Sequence, residues 1–177
     1  MKRFILKFLL LALIATVYFG CKKSETFSDV PAIEFRALTS AKDASGKDTT
    51  TIITISFTDG DGDIGYFSGG NGSIFDSTWS TYYNDFVVTF FEKQNGIWVK
   101  DTVHVPPTYP GYSARLPYLT PKGNNKALKG EISMTQYVKY GILYRTQNDT
   151  IRYEVFIYDR SLNKSNTITT SEIVISI

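Results

Sequence analysis

The chain has 177 residues, of which 19 are Lys or Arg and 17 are Asp or Glu. A chain this close to neutral offers no electrostatic case for binding nucleic acid. It has a single cysteine, which excludes an intrachain disulfide, so the fold has to be held by its apolar core or by a metal ion.

The first twenty residues have the pattern of a secretory signal. Lys2, Arg3 and Lys7 precede an apolar run over residues 8–19. That run is too short for a membrane-spanning helix. We therefore predict that residues 1–20 are a cleaved signal peptide. Its removal takes away those three bases and no acid, so 16 basic and 17 acidic residues remain.

Cys21 follows a glycine and precedes a polar stretch, which resembles the signal of bacterial lipoproteins, where such a cysteine is lipidated. This predicts a lipid anchor in the cell envelope, at the outer membrane, with the periplasmic or the surface face left open. The alternative is an ordinary cleaved signal followed by an incidental cysteine. Residues 21–30 are predicted to be the lipidated cysteine and a flexible tether, and residues 31–177 the folded domain.

Strand patterns dominate the domain, and no segment predicts a long amphipathic helix. Gln94-Asn95-Gly96 predicts a hairpin turn. Short strands without helical crossovers favour a single antiparallel, immunoglobulin-like β-sandwich of about seven to eight strands. The predicted strands are drawn from nine candidate segments, of which Ile142–Arg145 is the weakest: Ala32–Leu38, Thr50–Phe57, Phe86–Glu92, Ile97–Val103, Tyr112–Leu116, Ala127–Met134, Ile142–Arg145, Thr150–Asp159 and Thr167–Ile177.

Three aspartates alternate with glycine directly after the second predicted strand. In a sandwich of this class, that loop and the loop before the last strand emerge at the same end. The third strand also begins there. Carboxylates and an amide from distant parts of the chain are therefore expected to converge. The predicted ligands are Asp59, Asp61, Asp63, Asp85, Asp159 and Asn163.

Calcium is the predicted counter-ion of this acidic group. Carboxylates packed closely repel one another and raise one another's pKa values unless a cation lies among them. Calcium accepts about six to eight oxygen ligands in irregular geometry, whereas magnesium is stricter and zinc favours His and Cys. The loop is not an EF-hand, because Ile64 and Gly70 stand where that motif needs its glycine and its glutamate. The alternative is a solvated turn in which the aspartates bond to local backbone.

Three stretches carry a resemblance to a family: SFTDGDGDIG, LPYLTPKGNNKALKGEI and TIRYEVFIYDRSLNKSNTITTSEIVI. Together they resemble a group of small lipoproteins of Bacteroidota, largely of unknown function. The resemblance covers most of the predicted mature chain. It implies envelope attachment and a β-sandwich, and it carries over no catalytic residue.

The residues also argue against catalysis. His104 is the only histidine, and no serine lies in a nucleophile-elbow motif that could use it. The aspartates lie among glycines, unlike the apolar pocket that raises the pKa of a glycosidase acid. We predict a protein that is not an enzyme, serving binding, adhesion or assembly in the envelope with an envelope protein as partner, and we rank a hydrolase last.

Aromatic residues in a polar stretch before the third strand suggest an alternative function. Trp79, Tyr82 and Tyr83 offer rings on which sugars stack, which predicts a glycan partner. The competing interpretation is that these rings cover one end of the core, as aromatic residues in β-proteins commonly do.

Overall fold

Eight β-strands form the framework of the part of the chain that the structure describes. The computed structural model describes residues 25–66, 73–78, 80–102, 112–137 and 149–176. The signal peptide, Cys21, Trp79, His104 and the predicted strand Ile142–Arg145 lie outside the described residues. The elements are β1 (Ala32–Lys42), β2 (Asp48–Asp59), α1 (Ser73–Asp76), β3 (Phe86–Gln94), β4 (Ile97–Lys100), β5 (Leu128–Tyr137), β6 (Asp149–Ile157), β7 (Ile168–Thr169) and β8 (Ile173–Ile175).

The strands form two antiparallel sheets that enclose one core. One sheet has the order β1-β2-β5, and the other has the order β4-β3-β6-β7, with β8 also paired to β6. The first, second and fifth strands therefore lie in one sheet and the remaining strands in the other. Immunoglobulin-like sandwiches distribute their strands in this way. The predicted all-β sandwich is therefore confirmed. No helix within the described ranges has the length and apolar character needed to span a bilayer.

Alternation along β2 and β6 builds the centre of the core. Ile53, Ile55 and Phe57 of β2 are buried, while the residues between them are half-buried. β6 repeats the pattern over residues 151–157. The hydroxyls of Thr51 and Tyr153 lie 2.8 Å apart and form a buried hydrogen bond between the two strands. The alternation of buried and half-buried residues along each strand therefore determines which faces of the two sheets pack against each other.

The hairpin turn between β3 and β4 is confirmed. Asn95 and Gly96 have φ values of 51° and 81°, and two successive residues in the left-handed region are typical of the type I′ turn that suits the twist of a hairpin.

Two predicted strands differ from the structure. Tyr112–Leu116 does not form a strand, since only Ala114 bridges β3, through Phe86. On either side of this bridge, side chains replace a backbone ladder: the Val88 N–H donates to the Ser113 hydroxyl, and the Leu116 N–H donates to the Asp85 carboxylate.

The last predicted strand is divided into β7 and β8. At Thr170 the hydroxyl accepts from the Tyr153 N–H at 3.0 Å, while the Thr170 N–H donates to the Tyr153 carbonyl at 2.9 Å. The register of pairing with β6 then shifts by one residue before β8. A β-bulge centred on this threonine therefore interrupts the strand.

Asn166 fastens the outer edge of β1 to the loop between β6 and β7. Its side-chain oxygen accepts from the Ile33 N–H and its amide nitrogen donates to the Ile33 carbonyl, both at 2.9 Å. Ile33 is almost fully buried, so these backbone groups need partners. The Asn166 side chain thus provides hydrogen-bond partners for the backbone of an edge strand and ties the two sheets together.

We predict that Asn166→Ala lowers the free energy of unfolding by about 2 kcal/mol, because it removes two hydrogen bonds and leaves two backbone groups without partners. Urea denaturation followed by circular dichroism measures this. Thr167→Ala, at the exposed neighbouring position, is the matched control and should unfold as the unmodified chain does. Equal midpoints for the two variants would contradict the role of Asn166.

Candidate metal centre

The loop after β2 and the loop after β6 lie against each other at one end of the sandwich. Ile64 forms an antiparallel bridge with Asp159. The Arg160 N–H donates to the Asp63 carbonyl at 3.2 Å, and the Ser161 hydroxyl donates to Asp63 Oδ2 at 2.8 Å. The predicted meeting of these two loops is thereby confirmed.

Arg160 connects the two loops to a third one. Its guanidinium donates to the carbonyls of Ile64 and Gly65, at 3.2 and 2.6 Å, and to the hydroxyl of Thr120. It also lies over the ring of Tyr118, 4.4 Å from its centroid. Arg160 is not among the predicted site residues, because its position next to Asp159 is the only signal of a role in the sequence.

A group of three aspartates forms the centre of the site. Carboxylate oxygens of Asp59, Asp63 and Asp159 all lie within 4.8 Å of one another. Asp59 and Asp159 are fully buried, and Asp63 is half-buried. Asp61 lies in the same loop, two residues from Asp59 and two from Asp63. Three of the six predicted ligands are thus brought together, and this arrangement can hold a metal ion.

Buried oxygens without hydrogen-bond donors mark the interior of the group. Oδ1 of Asp59, of Asp61 and of Asp63 is in each case shielded from solvent and has no partner among the described residues. In contrast, Asp59 Oδ2 accepts from the Asp63 N–H at 2.9 Å. A buried carboxylate oxygen without a donor is costly. The three Oδ1 atoms therefore have the chemistry of ligands for a cation.

The pKa values of the group respond to this crowding. Burial and, after it, the charges of Asp61, Asp63 and Asp159 together raise the pKa of Asp59 to about 7, although the hydrogen bond from the Asp63 N–H lowers it. Burial also raises the pKa values of Asp61 and Asp159, again with contributions from nearby aspartates. Full ionisation of the group is therefore unfavourable unless a positive charge is placed among the carboxylates.

Asn163 supports Asp159. Its backbone N–H donates to Asp159 Oδ1 at 2.7 Å, and its side-chain amide donates to Oδ2 at 2.9 Å. Both bonds run from Asn163 to the carboxylate, so in this structure the residue orients Asp159 and presents a donor to it.

Asp85 lies at the same end of the sandwich but outside the group of three. Its Oδ1 accepts from the Leu116 N–H at 2.6 Å, and its carbonyl accepts from the Tyr158 N–H at 2.8 Å. The side chain is fully buried, and burial raises its pKa to about 7. Its contacts link the start of β3 to two neighbouring segments, and a role as a metal ligand stays a prediction.

Gly62 closes the acidic loop against the segment before β5. Its φ is +66°, and a Cβ at this position would overlap the carbonyl oxygen of Lys126. The residue therefore has to be glycine both for its conformation and for the close approach of backbone. This is a physical reason for glycine between Asp61 and Asp63.

The predicted aromatic site is described at two of its three positions. Tyr82 packs edge-on against Tyr158, with 5.0 Å between centroids, and the guanidinium of Arg115 lies over Tyr83 at 4.9 Å. Both rings make contacts within the protein, as expected if they cover this end of the core. A glycan-binding role for Trp79, Tyr82 and Tyr83 stays a prediction.

Comparison of the chain with models of known protein families, with curated proteins and with solved structures gives no match. Function is therefore inferred from the chemistry of the site itself.

We predict that Asp85→Asn becomes more stable relative to the unmodified chain as pH rises. The pKa of Asp85 is raised from 3.8 to about 7, so between these values the unfolded state ionises while the folded state keeps its proton. Stability of the unmodified chain falls across that window by at most about 4 kcal/mol, and the loss persists at higher pH. Asparagine keeps the acceptor for Leu116 and does not titrate.

Urea unfolding of both proteins at pH 4.5 and pH 8, in the presence of a chelator, measures this difference. If the two proteins lose stability in parallel as pH rises, the buried carboxyl of Asp85 does not have the raised pKa described above.

Proposed function

We propose that this protein is a non-catalytic, lipid-anchored protein of the cell envelope in which one structural calcium ion holds together the loops after β2 and β6. The observation that carries the metal site is a set of three buried Oδ1 atoms, on Asp59, Asp61 and Asp63, that accept no hydrogen bond from any described residue. Carboxylate oxygens of Asp59, Asp63 and Asp159, which come from two distant parts of the chain, lie within 4.8 Å of one another.

The chemistry of the ligand atoms supports calcium over other cations. The group offers carboxylate oxygens from residues that differ in burial and in hydrogen bonding, so the ligands are not equivalent. Calcium tolerates irregular coordination, whereas magnesium demands near-octahedral geometry and retains water. Zinc favours nitrogen and sulfur ligands, and the group contains neither.

The proposed role of the ion is to replace repulsion by attraction at the point where the two sheets present their loops. It would satisfy the three Oδ1 atoms and fix the two loops as one surface for binding, adhesion or assembly. A structural site uses its carboxylates as ligands and leaves none as a general acid or base, which is why the proposal includes no reaction.

The envelope location rests on the amino-terminal sequence. The basic start, the apolar run and the glycine before Cys21 support export and lipidation. The resemblance to Bacteroidota lipoproteins supports the outer membrane as the site of attachment.

We predict that calcium raises the melting temperature of chelator-treated protein. A ligand that binds only the folded state at about 100 times its Kd adds about 2.7 kcal/mol to stability. For a domain of this size that corresponds to a shift of roughly 5–10 °C. Differential scanning fluorimetry at millimolar calcium, with magnesium in parallel, measures the shift.

Asp59→Asn and Asp61→Ala should each remove most of this shift, because each deletes a charged ligand. Asp43→Asn is the matched control, since Asp43 accepts its hydrogen bonds from Ser45 and Lys47 in the turn between β1 and β2. A melting curve that millimolar calcium leaves unchanged, or an equal shift in Asp43→Asn and Asp61→Ala, would refute the calcium site.

A further inference from the structure

The segment before β1 lies across the acidic loop. The Gly60 N–H donates to the Ser28 carbonyl at 2.8 Å. A Cβ on Gly60 would lie 2.5 Å from the Phe27 carbonyl oxygen and 2.7 Å from Asp29 Oδ1. This contact requires glycine at position 60, between two of the proposed ligands. The segment 25–30, which we call the tether segment, therefore packs directly on the backbone of the metal site.

A second contact continues the tether segment along the sheet. Glu25 and Lys129 form an ion pair at 2.5 Å between exposed side chains. Lys129 lies on β5 opposite Thr58, one residue before the acidic loop begins. The tether segment is thus held at both of its ends beside the end of β2.

The packing brings a fifth carboxylate to the acidic group. Asp29 is exposed, yet its Oδ1 lies beside Gly60 and its charge raises the pKa of Asp61, after the larger effects of burial and of Asp63. Two like charges placed this close repel each other. The backbone contact at Gly60 therefore works against electrostatics as long as no cation is bound.

We propose, on the basis of the proposed calcium site, that Asp29 is an additional ligand of the same cation, so that metal binding fastens the tether segment to the domain. A separate observation indicates that a cation binds here: Asp59 is fully buried, and its Oδ1 accepts no hydrogen bond from any described residue. Asp59, Asp61, Asp63 and Asp159 offer four carboxylates, and calcium takes about six to eight oxygens. An exposed aspartate on an adjacent segment can close onto an ion whose other ligands are buried.

The consequence is that the cation sets how the chain enters the domain. Without it, repulsion between Asp29 and Asp61 loosens the tether segment. With it, residues 27–29 are pinned beside β2. If the chain is lipid-anchored as proposed, this determines where the segment that leads to the anchor leaves the sandwich.

Amide hydrogen exchange of the full-length chain, with and without calcium, tests this proposal. We expect calcium to slow exchange in two regions of the unmodified protein, the acidic loop over residues 59–65 and the tether segment. In Asp29→Asn, calcium should still slow exchange in the acidic loop and still raise the melting temperature. It should no longer slow exchange in the tether segment, and calorimetry should show affinity weakened about tenfold by the loss of one charged ligand.

Glu25→Gln is the matched control, because it removes the ion pair with Lys129 and leaves the acidic group intact. It should bind calcium as the unmodified chain does. Calcium protection of the tether segment that is equal in Asp29→Asn and the unmodified chain would overturn the role of Asp29 while leaving the calcium site standing. An acidic loop that calcium does not protect in the unmodified chain would overturn both.

Discussion

The placement of buried carboxylates at the point where two strands leave the core is the constraint on which the site depends. Asp59 continues the inward series Ile53, Ile55, Phe57 of β2, and Asp159 continues the inward series of β6. The pleat that buries the isoleucines therefore also buries these acids. Loop flexibility is not what brings the two together, because each is delivered by its own sheet.

This placement creates a cost that the surrounding side chains meet only in part. Asn163 donates twice to Asp159, and the Asp63 N–H donates once to Asp59. Arg160, the cation beside the group in sequence, turns its guanidinium to the carbonyls of Ile64 and Gly65. It thereby fixes the backbone of the loop and does not pair with the carboxylates in these bonds. The remaining negative charge is what the proposed calcium ion would neutralise.

Much of this arrangement could be predicted from the sequence, because alternation and turn chemistry are local signals. The inward faces of β2 and β6 follow from period two, and the hairpin follows from Asn95-Gly96. Once the sandwich order is assumed, the convergence of Asp59 and Asp159 follows as well. The predictions that were wrong concern strands whose formation depends on bonds to other segments of the chain. Tyr112–Leu116 has strand composition, but bonds to the side chains of Ser113 and Asp85 replace a backbone ladder and leave it a single bridge.

Contacts made by residues without a local pattern could not be predicted. Asp29 approaches the acidic loop through backbone packing on Gly60, and Arg160 acts through bonds to carbonyls of another loop. Neither a period nor a motif encodes such contacts, since they depend on the three-dimensional course of segments far apart in the chain. Asp85 illustrates the same limit, because its position before β3 was correctly placed at this end while its bond to Leu116 was not foreseen.

The absence of an intrachain disulfide gives the proposed ion a particular physical role. With one cysteine in the chain, no covalent bond can join the segments that hold Asp29, Asp61 and Asp159. A cation shared by these carboxylates would join the same three segments, and it would do so only in the folded state, since the unfolded chain does not gather them. Unlike a disulfide, such a link is reversible by dilution of the ion. The stiffness of this end of the sandwich, and of the chain that enters it, would then follow the calcium concentration around the protein.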